Sequence, residues 1–353
     1  MNTPLVSVIM PVFNSQDYVC QAIQSILNQT YTHFEFLIFD DGSTDNSLAI
    51  IQSFDDSRIQ FFSDGTNKGQ PARYNAGIQT AKGKYIAIAH ADDEALPYRL
   101  AETVAFLEEN EDYEIVGSRV AYIDNQGNSK ERIYGKAGDH NFLFLHGLIA
   151  CPLMHATILA RKSLFLKYPY HLDFDSCEDY ELFSRLSYEQ RMFNISKPLV
   201  HYRLHETNLT KTKQDRHEAN IKFLMKNQYA ALNLTYTEKD FQAHLLTFYF
   251  YRIHLDFTEL KMVEAWLIRL KNELLSLRRF HEADINHVIY FNWYLTCMKG
   301  RGTGRKLLPL FRKSQLFDRS YNNFRENLTI VLLSLPFHDR INRFYTWVRK
   351  RLR

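Results

Sequence analysis

Over the first 110 residues, short apolar runs alternate with stretches whose apolar residues recur every three or four positions. Apolar runs of strand length predict β-strands buried on both faces, and the longer spacing predicts helices with one buried stripe. "LVSVIMPVF" (5–13) reads as a strand. "SQDYVCQAIQSILNQ" (15–29) reads as a helix, with Val19, Ile23 and Ile26/Leu27 on its apolar stripe and Ser15 as the expected N-cap. "FEFLIFDD" (34–41) predicts a second strand and "STDNSLAIIQSF" (43–54) a capped helix. "RIQFFS" (58–63) predicts a third strand, followed by the helix "GQPARYNAGIQTAKG" (69–83), closed by Gly83 at its C-terminal end. "YIAIAH" (85–90) is a fourth strand and "LPYRLAETVAFLEEN" (96–110) a helix. This rhythm predicts an α/β fold with a mostly parallel, Rossmann-like central sheet covered on both faces.

From about Asp112 the pattern loosens. "YEIVGSRVAYID" (113–124) predicts another strand, and "HATILARKSLF" (155–165) and "PLVHYRLH" (198–205) predict strands flanking the helix "CEDYELFSRLSYEQ" (177–190). After Lys211 the chain becomes mostly helical, rich in aromatics and then in Arg. The composition shift near 210–215 carries no Pro/Gly linker, and the expected division is 1–212 (halves 1–110 and 111–212) and a helical, basic region 213–353. There is no internal repeat.

Charge sharpens that division. The 353 residues carry a net charge of +3, but residues 299–353 hold 14 Lys/Arg against 3 Asp/Glu, leaving the first 298 residues net acidic. A basic end on an acidic body predicts an anionic partner. Phe344, Trp347, Val348 and Leu352, interleaved with Arg and Lys, fit the apolar side of a surface helix on anionic lipid; packing on the body is the plainer alternative. Cys20, Cys151, Cys177 and Cys297 form no C-x-x-C pair and no zinc spacing, which points to a reduced compartment. "MNTPLVSVIMPVFN" lacks the charged n-region and cleavage site of a signal peptide, and no stretch reaches the ~18 apolar residues of a bilayer span.

In a parallel sheet of this kind, ligands sit beyond the carboxyl ends of the strands. Those ends read "PVFN", "FDDGSTD" and "AHADDE", the last placing His90, Asp92, Asp93 and Glu94 together. Adjacent carboxylates raise one another's proton affinity, so such a cluster calls for a cation, and a divalent metal held by carboxylates suits a diphosphate.

These residues also carry a resemblance. "VSVIMPVFN", "QTYTHFEFLIFDDGSTDNS", "NKGQPARYNAGIQTAKGKYIAIAHADD", "LPYRL", "CEDYELFSRLS" and "PLVHYRLHETN" together resemble, in order and over about 200 residues, the family 2 glycosyltransferases, which have a GT-A fold. The resemblance implies that Asp41 accepts a hydrogen bond from the uracil imide, with Phe13 beside the base, Pro11 and Asn14 shaping the loop, and Arg73 facing uracil or diphosphate. Asp40 is a further candidate, with turn chemistry as its bland reading. Asn75 is expected to hold the neighbouring loop.

The family usually shows Asp-x-Asp where this chain reads His90-Ala91-Asp92-Asp93. The resemblance then assigns Asp92 to ribose and metal and Asp93 to metal, Mn²⁺ or Mg²⁺. His90 is either a donor behind the ligands or a cap at the strand end, and Glu94 a charge on a first helical turn. Asp179 of "CEDYELFSRL" matches the family's general base, which deprotonates the acceptor hydroxyl. Glu178 would orient Asp179 or the acceptor. His155 is placed either near the donor sugar or in the core. His205 is a candidate for the metal or pyrophosphate, and Arg203 for a site or a structural role.

The resemblance thus implies an inverting transferase. It would move a sugar from a UDP-sugar to a hydroxyl of a lipid-linked glycan, in surface-polysaccharide synthesis on the cytoplasmic face of a membrane, peripherally attached. A catalytically silent GT-A module docked at the membrane is the alternative, favoured only by His90. A nicotinamide-linked Rossmann enzyme is excluded, since "PVFNSQ" after the first strand lacks G-x-G-x-x-G. Nucleic acid is not an expected partner.

Overall fold

The computed structural model describes residues 3–174, 176–205, 214–248, 254–321, 329–331 and 333–334. The chain divides into two compact units, residues 1–147 with 151–224 and residues 148–150 with 225–353.

The first unit is built on one curled sheet. Strands β1 (Val6–Val12), β2 (Phe34–Asp40), β3 (Ile59–Ser63) and β4 (Tyr85–Ile88) pair in parallel in the order β3-β2-β1-β4. Every residue of β1, β2 and β4 is buried, as unbroken apolar runs in a doubly covered sheet should be. Helices α1 (Val19–Leu27), α2 (Ser47–Gln52), α3 (Gln70–Thr80) and α4 (Arg99–Glu109) are the crossovers. The sheet continues through β5 (Glu94–Ala95), β6 (Ile115–Ile123), β7 (Ser129–Tyr134), β8 (Leu159–Arg161) and β9 (Met192–Arg203). β8 runs antiparallel between β4 and β6, β9 lies parallel to β6, and the two-residue β5 closes the far edge on β9. Helices α5 (His140–Gly147), α6 (Lys162–Lys167) and α7 (Glu178–Leu186) complete this unit, and α8 (Gln214–Ala231) begins in it and ends in the second.

Several local expectations change. Ser15 does not cap α1: the helix begins four residues later, after a turn in which the Ser15 carbonyl accepts the Tyr18 and Val19 N–H groups. Gly83 is no helix terminator either, since α3 ends at an extended Ala81. Glycine is needed at 83 because a Cβ there would lie 2.7 Å from the Ser7 backbone nitrogen. The Gly83 N–H donates to Ser7 Oγ, whose own hydroxyl donates to the buried Glu35 carboxylate at 2.6 Å. The expected strand 155–165 is a 3₁₀ turn at His155–Thr157, then β8, then α6. β7 and α5 carry no clear signal in the sequence.

The second unit is helical, with α9 (Glu238–Thr247), α10 (Phe257–Ser276), α11 (Glu282–Met298) and α12 (Leu307–Lys313). Thr237/Asp240 and Asp256/Glu259 form capping boxes at the starts of α9 and α10. Trp266 and Trp293 are fully buried, and Lys299 Nζ donates to the carbonyls of Leu246, Thr247 and Phe248 at the end of α9. Among the described residues, no helix is long and apolar enough to cross a membrane. Phe344, Trp347, Val348 and Leu352 lie outside the described residues.

Candidate active site

The carboxyl end of β2 places two neighbouring aspartates in different surroundings, because successive strand residues face opposite sides. Asp40 Oδ1 accepts the Ser43 N–H and its Oδ2 the Ser63 hydroxyl, tying β2 to β3. Asp41 turns the other way. Its Oδ1 accepts the Lys68 N–H (2.8 Å) and Arg73 Nε–H (2.7 Å), and its Oδ2 accepts the Gly69 N–H (3.0 Å). Arg73 is buried and also donates to Asp64 and to the Thr66 carbonyl. Asp64 and Asp41 hold the guanidinium's pKa above its ordinary value against the opposing effect of burial. Pro11 is buried within β1 beside Phe39, whereas Phe13 is 45% exposed just beyond the strand. Asn14 adopts φ 46°, and its Oδ1 accepts the Thr44 N–H at 2.8 Å, so it fastens the loop after Asp41.

The end of β4 carries the acidic cluster. Ligand atoms of His90, Asp92 and Asp93 all lie within 4.8 Å of one another. Asp93 is buried; its Oδ1 accepts the Arg203 N–H at 2.9 Å, while its Oδ2 is buried with no hydrogen-bond partner. Burial and the neighbouring Asp92 charge push the Asp93 carboxyl above its ordinary range. Burial opposes ionisation of Asp92 too, but a 2.9 Å hydrogen bond to His205 and the charges of His90 and His205 outweigh it and hold that carboxyl low. His90 is likewise desolvated, yet the Asp93 carboxylate 3.5 Å away raises its pKa.

β9 supplies the groups that steady this cluster. Arg203 donates from Nε to the Asp92 carbonyl (2.9 Å), pairs with Glu94, and reaches the Asp124 carbonyl (3.2 Å). Its guanidinium lies 4.9 Å from the centre of the Tyr18 ring, which also packs against His205. Below, Arg99 is fully enclosed and donates to the Ile88 and Ile158 carbonyls; burial lowers its pKa to about 10.

Asp179 stands in the first turn of α7, beside the buried Glu178. Its Oδ1 accepts the Tyr180 N–H at 2.7 Å and its Oδ2 faces the Cys151 thiol at 3.6 Å. Burial raises the Asp179 carboxyl above its ordinary value, partly countered by the Tyr180 N–H and by the charges of His90 and His217. His155 is buried, with Nδ1 3.2 Å from His90 Nε2 and Nε2 2.8 Å from the Tyr170 hydroxyl. Burial drives its pKa well down, so it is a neutral link between the metal-type cluster and Tyr170. Asn75 grips the Tyr170 backbone at both N–H and carbonyl.

Comparison with known proteins bears on family and fold. Residues 7–165 match the model of glycosyl transferase family 2. An uncharacterized glycosyltransferase of Haemophilus influenzae is 32% identical over 215 residues, covering 58% of this chain and 67% of that protein. The chain belongs to glycosyl transferase family 2. A further relative, an uncharacterized glycosyltransferase of Rickettsia bellii, is 31% identical over 233 residues; the match covers 64% of this chain but only 33% of that longer protein. In fold, the family member is similar to S. aureus TarS (residues 1–349) crystallised with UDP-GlcNAc. The TM-score is 0.54 at 17% identity, covering 93% of this chain and 90% of that one. The sheet is thus of the GT-A type.

Arg203, for which the sequence left a site or a structural role open, braces the aspartate cluster, whereas Arg99, Cys151 and Tyr170 were not among the expected site residues. Arg203 carried a faint signal, as a basic residue in the strand preceding His205. Cys151 carried none, because its meaning depends on a contact 28 residues away.

Proposed function

We propose that this chain is an inverting glycosyltransferase that transfers a sugar from a UDP-sugar, with Mn²⁺ or Mg²⁺, to a hydroxyl of a lipid-linked glycan. The observation that carries the reading is the buried Oδ2 of Asp93, which has no hydrogen-bond donor and only the His90 ring nitrogen 3.5 Å away, beside Asp92. A buried carboxylate oxygen without a donor is costly, and a hard divalent cation is the partner this donor set fits. Asp92 and Asp93 would hold the ion, with His90 adjoining. The chemistry such an ion supplies is neutralisation of the diphosphate and of the charge on departing UDP.

Asp41 Oδ2 accepts one N–H and keeps a lone pair, enough for the imide N–H of uracil. Arg73 fixes that carboxylate's orientation and has a guanidinium N–H left for uracil or diphosphate. Pro11, Phe13 and Asn14 form the wall for the base. TarS structures hold UDP and UDP-GlcNAc, and a uridine donor for this chain is our extension of that likeness.

Asp179 takes the proton of the acceptor hydroxyl as its oxygen attacks the anomeric carbon and the bond to UDP breaks, inverting the centre. A carboxylate with a raised pKa is a stronger base for this task. Glu178 would orient the acceptor, and His155 and His205 would keep His90 and Asp92 in place. In this reading residues 1–212 form the catalytic region, with donor contacts in 1–110 and acceptor contacts in 111–212. The basic C-terminal region meets an anionic membrane surface at the cytoplasmic face, where surface polysaccharide is assembled.

The test is UDP release by purified full-length protein from a panel of UDP-sugars, with Mn²⁺, Mg²⁺ or EDTA. Metal-dependent release with at least one donor is expected. No release from any donor, alongside intact folding and UDP binding, would overturn the transferase reading in favour of a silent binding module.

A further inference from the structure

A second concentration of charge lies in the helical unit, on residues the transfer chemistry does not use. Phe257, Lys261 and Glu264 follow one another along one face of α10 at four- and three-residue spacing. Opposite them stand Arg305 and Lys306, from the 3₁₀ turn Arg301–Lys306, and Pro309, Leu310, Lys313 and Ser314, on and just after α12. Between the two faces is an open cleft of about 460 Å³, within the range of about 300–1,000 Å³ typical of ligand pockets, with all four cations exposed.

The lining carries Lys261, Arg305, Lys306 and Lys313 against the lone carboxylate of Glu264. Among the described residues, none of those cations is ion-paired. The ammonium groups of Lys261 and Lys306 lie 5.8 and 5.5 Å from the centre of the same Phe257 ring. Both charges are thus drawn towards the same apolar ring. Gly304 makes the arrangement possible. Its φ of +55° turns the chain just before Arg305, and a Cβ there would meet nothing within 4 Å, so backbone conformation, not space, calls for glycine.

We propose that this pocket binds a phosphate- or diphosphate-bearing ligand with an apolar substituent. A multiply charged phosphate matches the excess of cations, and ammonium groups act on it as point charges. Phe257, Leu310 and Pro309 supply an apolar surface for the substituent. The inference is independent of the transfer reaction. Two sources share this chemistry, a soluble organophosphate and the headgroup of an anionic phospholipid.

The experiment uses the full-length protein in EDTA, so that no divalent cation can recruit a diphosphate to the aspartate cluster. Inorganic pyrophosphate is titrated by calorimetry, and sedimentation is followed with phosphatidylcholine vesicles with and without phosphatidic acid. The Lys261→Ser/Lys306→Ser protein is compared with wild type, with Lys313→Ser as a milder second variant; circular dichroism melts check folding. Pyrophosphate binding should weaken about tenfold or more in the double variant, as expected for losing charge-assisted contacts, and less in Lys313→Ser. UDP release should be unchanged in both. Binding of pyrophosphate alone assigns a soluble ligand, and added retention on phosphatidic acid vesicles assigns the lipid. Wild-type affinity in a folded double variant, or no binding to either probe by wild type, overturns the proposal.

Discussion

Replacing Asp93 by Asn separates what this carboxylate costs the fold from what it contributes to the site. Asp93 Oδ1 accepts the Arg203 N–H, and Oδ2 is buried without a hydrogen-bond partner. Burial and the charge of Asp92 both work against its ionisation. An amide keeps an oxygen for Arg203, removes the opposed charge and occupies almost the same volume. Removing the charge relieves its desolvation and the repulsion from Asp92, a cost of about 1–3 kcal/mol, less the lost attraction to His90, so Asp93→Asn should be more stable than wild type in EDTA by up to that amount. For a protein unit of this size that is a rise of up to roughly 2–12 °C in melting temperature. In exchange, Mn²⁺ should no longer raise the melting temperature. UDP release should fall by at least about a hundredfold, since even the partners behind metal ligands cost 10–100-fold. Scanning calorimetry with EDTA or Mn²⁺, beside a UDP-release assay, reads all three. A variant that melts below wild type in EDTA, or one that still gains stability from Mn²⁺, would refute the reasoning.

Asp179→Asn should lose about 10²–10⁴-fold in transfer while calorimetry shows donor binding intact, because the amide cannot take the acceptor's proton. The acid limb of the wild-type pH–rate profile should lie above the ordinary carboxylate pKa of about 4, since burial raises Asp179 and only the ionised form is a base; a limb at or below 4 counts against it. Arg203→Met should destabilise the first unit by about 3–5 kcal/mol, because it strands Glu94 and the carbonyls of Asp92 and Asp124; urea melts measure this, and a loss below ~1 kcal/mol would contradict the assigned contacts. Deleting residues 338–353, which hold six Arg/Lys and one Asp, should weaken flotation with anionic liposomes more than UDP release. Equal flotation of both forms would leave the segment without a lipid role.

How far the sequence disclosed this molecule depended on how local each signal was. β1, β2 and β4 were legible because a strand buried on both faces leaves an unbroken apolar run. β7 was invisible because all six of its residues are exposed, so no alternation marks it. α5 was hidden for the opposite reason: Phe142, Leu143, Phe144 and Leu145 are all buried, which erases the helical stripe. β9 begins six residues before the expected start because Pro198 reads as a boundary, whereas the sheet absorbs it through register shifts around Arg119. At the site, strand-end position and the family resemblance singled out the aspartates, but not which of Asp40 and Asp41 ties strands together and which is braced by Arg73. That distinction rests on partners 23 to 32 residues distant.

The distance in sequence between the acidic cluster and its countercharges also bears on how the protein is made. Arg203 and His205 are separated from Asp92 and Asp93 by 110 to 113 residues. On a ribosome the carboxylates emerge first, and the backbone N–H, guanidinium and imidazole that steady them arrive only after another hundred residues. Until then β5 has no β9 to pair with, and the far edge of the sheet stays open. Contacts of such long sequence separation form slowly, because the intervening chain must be ordered before they repay that ordering. The aspartate cluster is therefore among the last parts to reach its final surroundings, and a nascent chain cut short before residue 205 would hold β1 to β4 without the groups that steady Asp92 and Asp93.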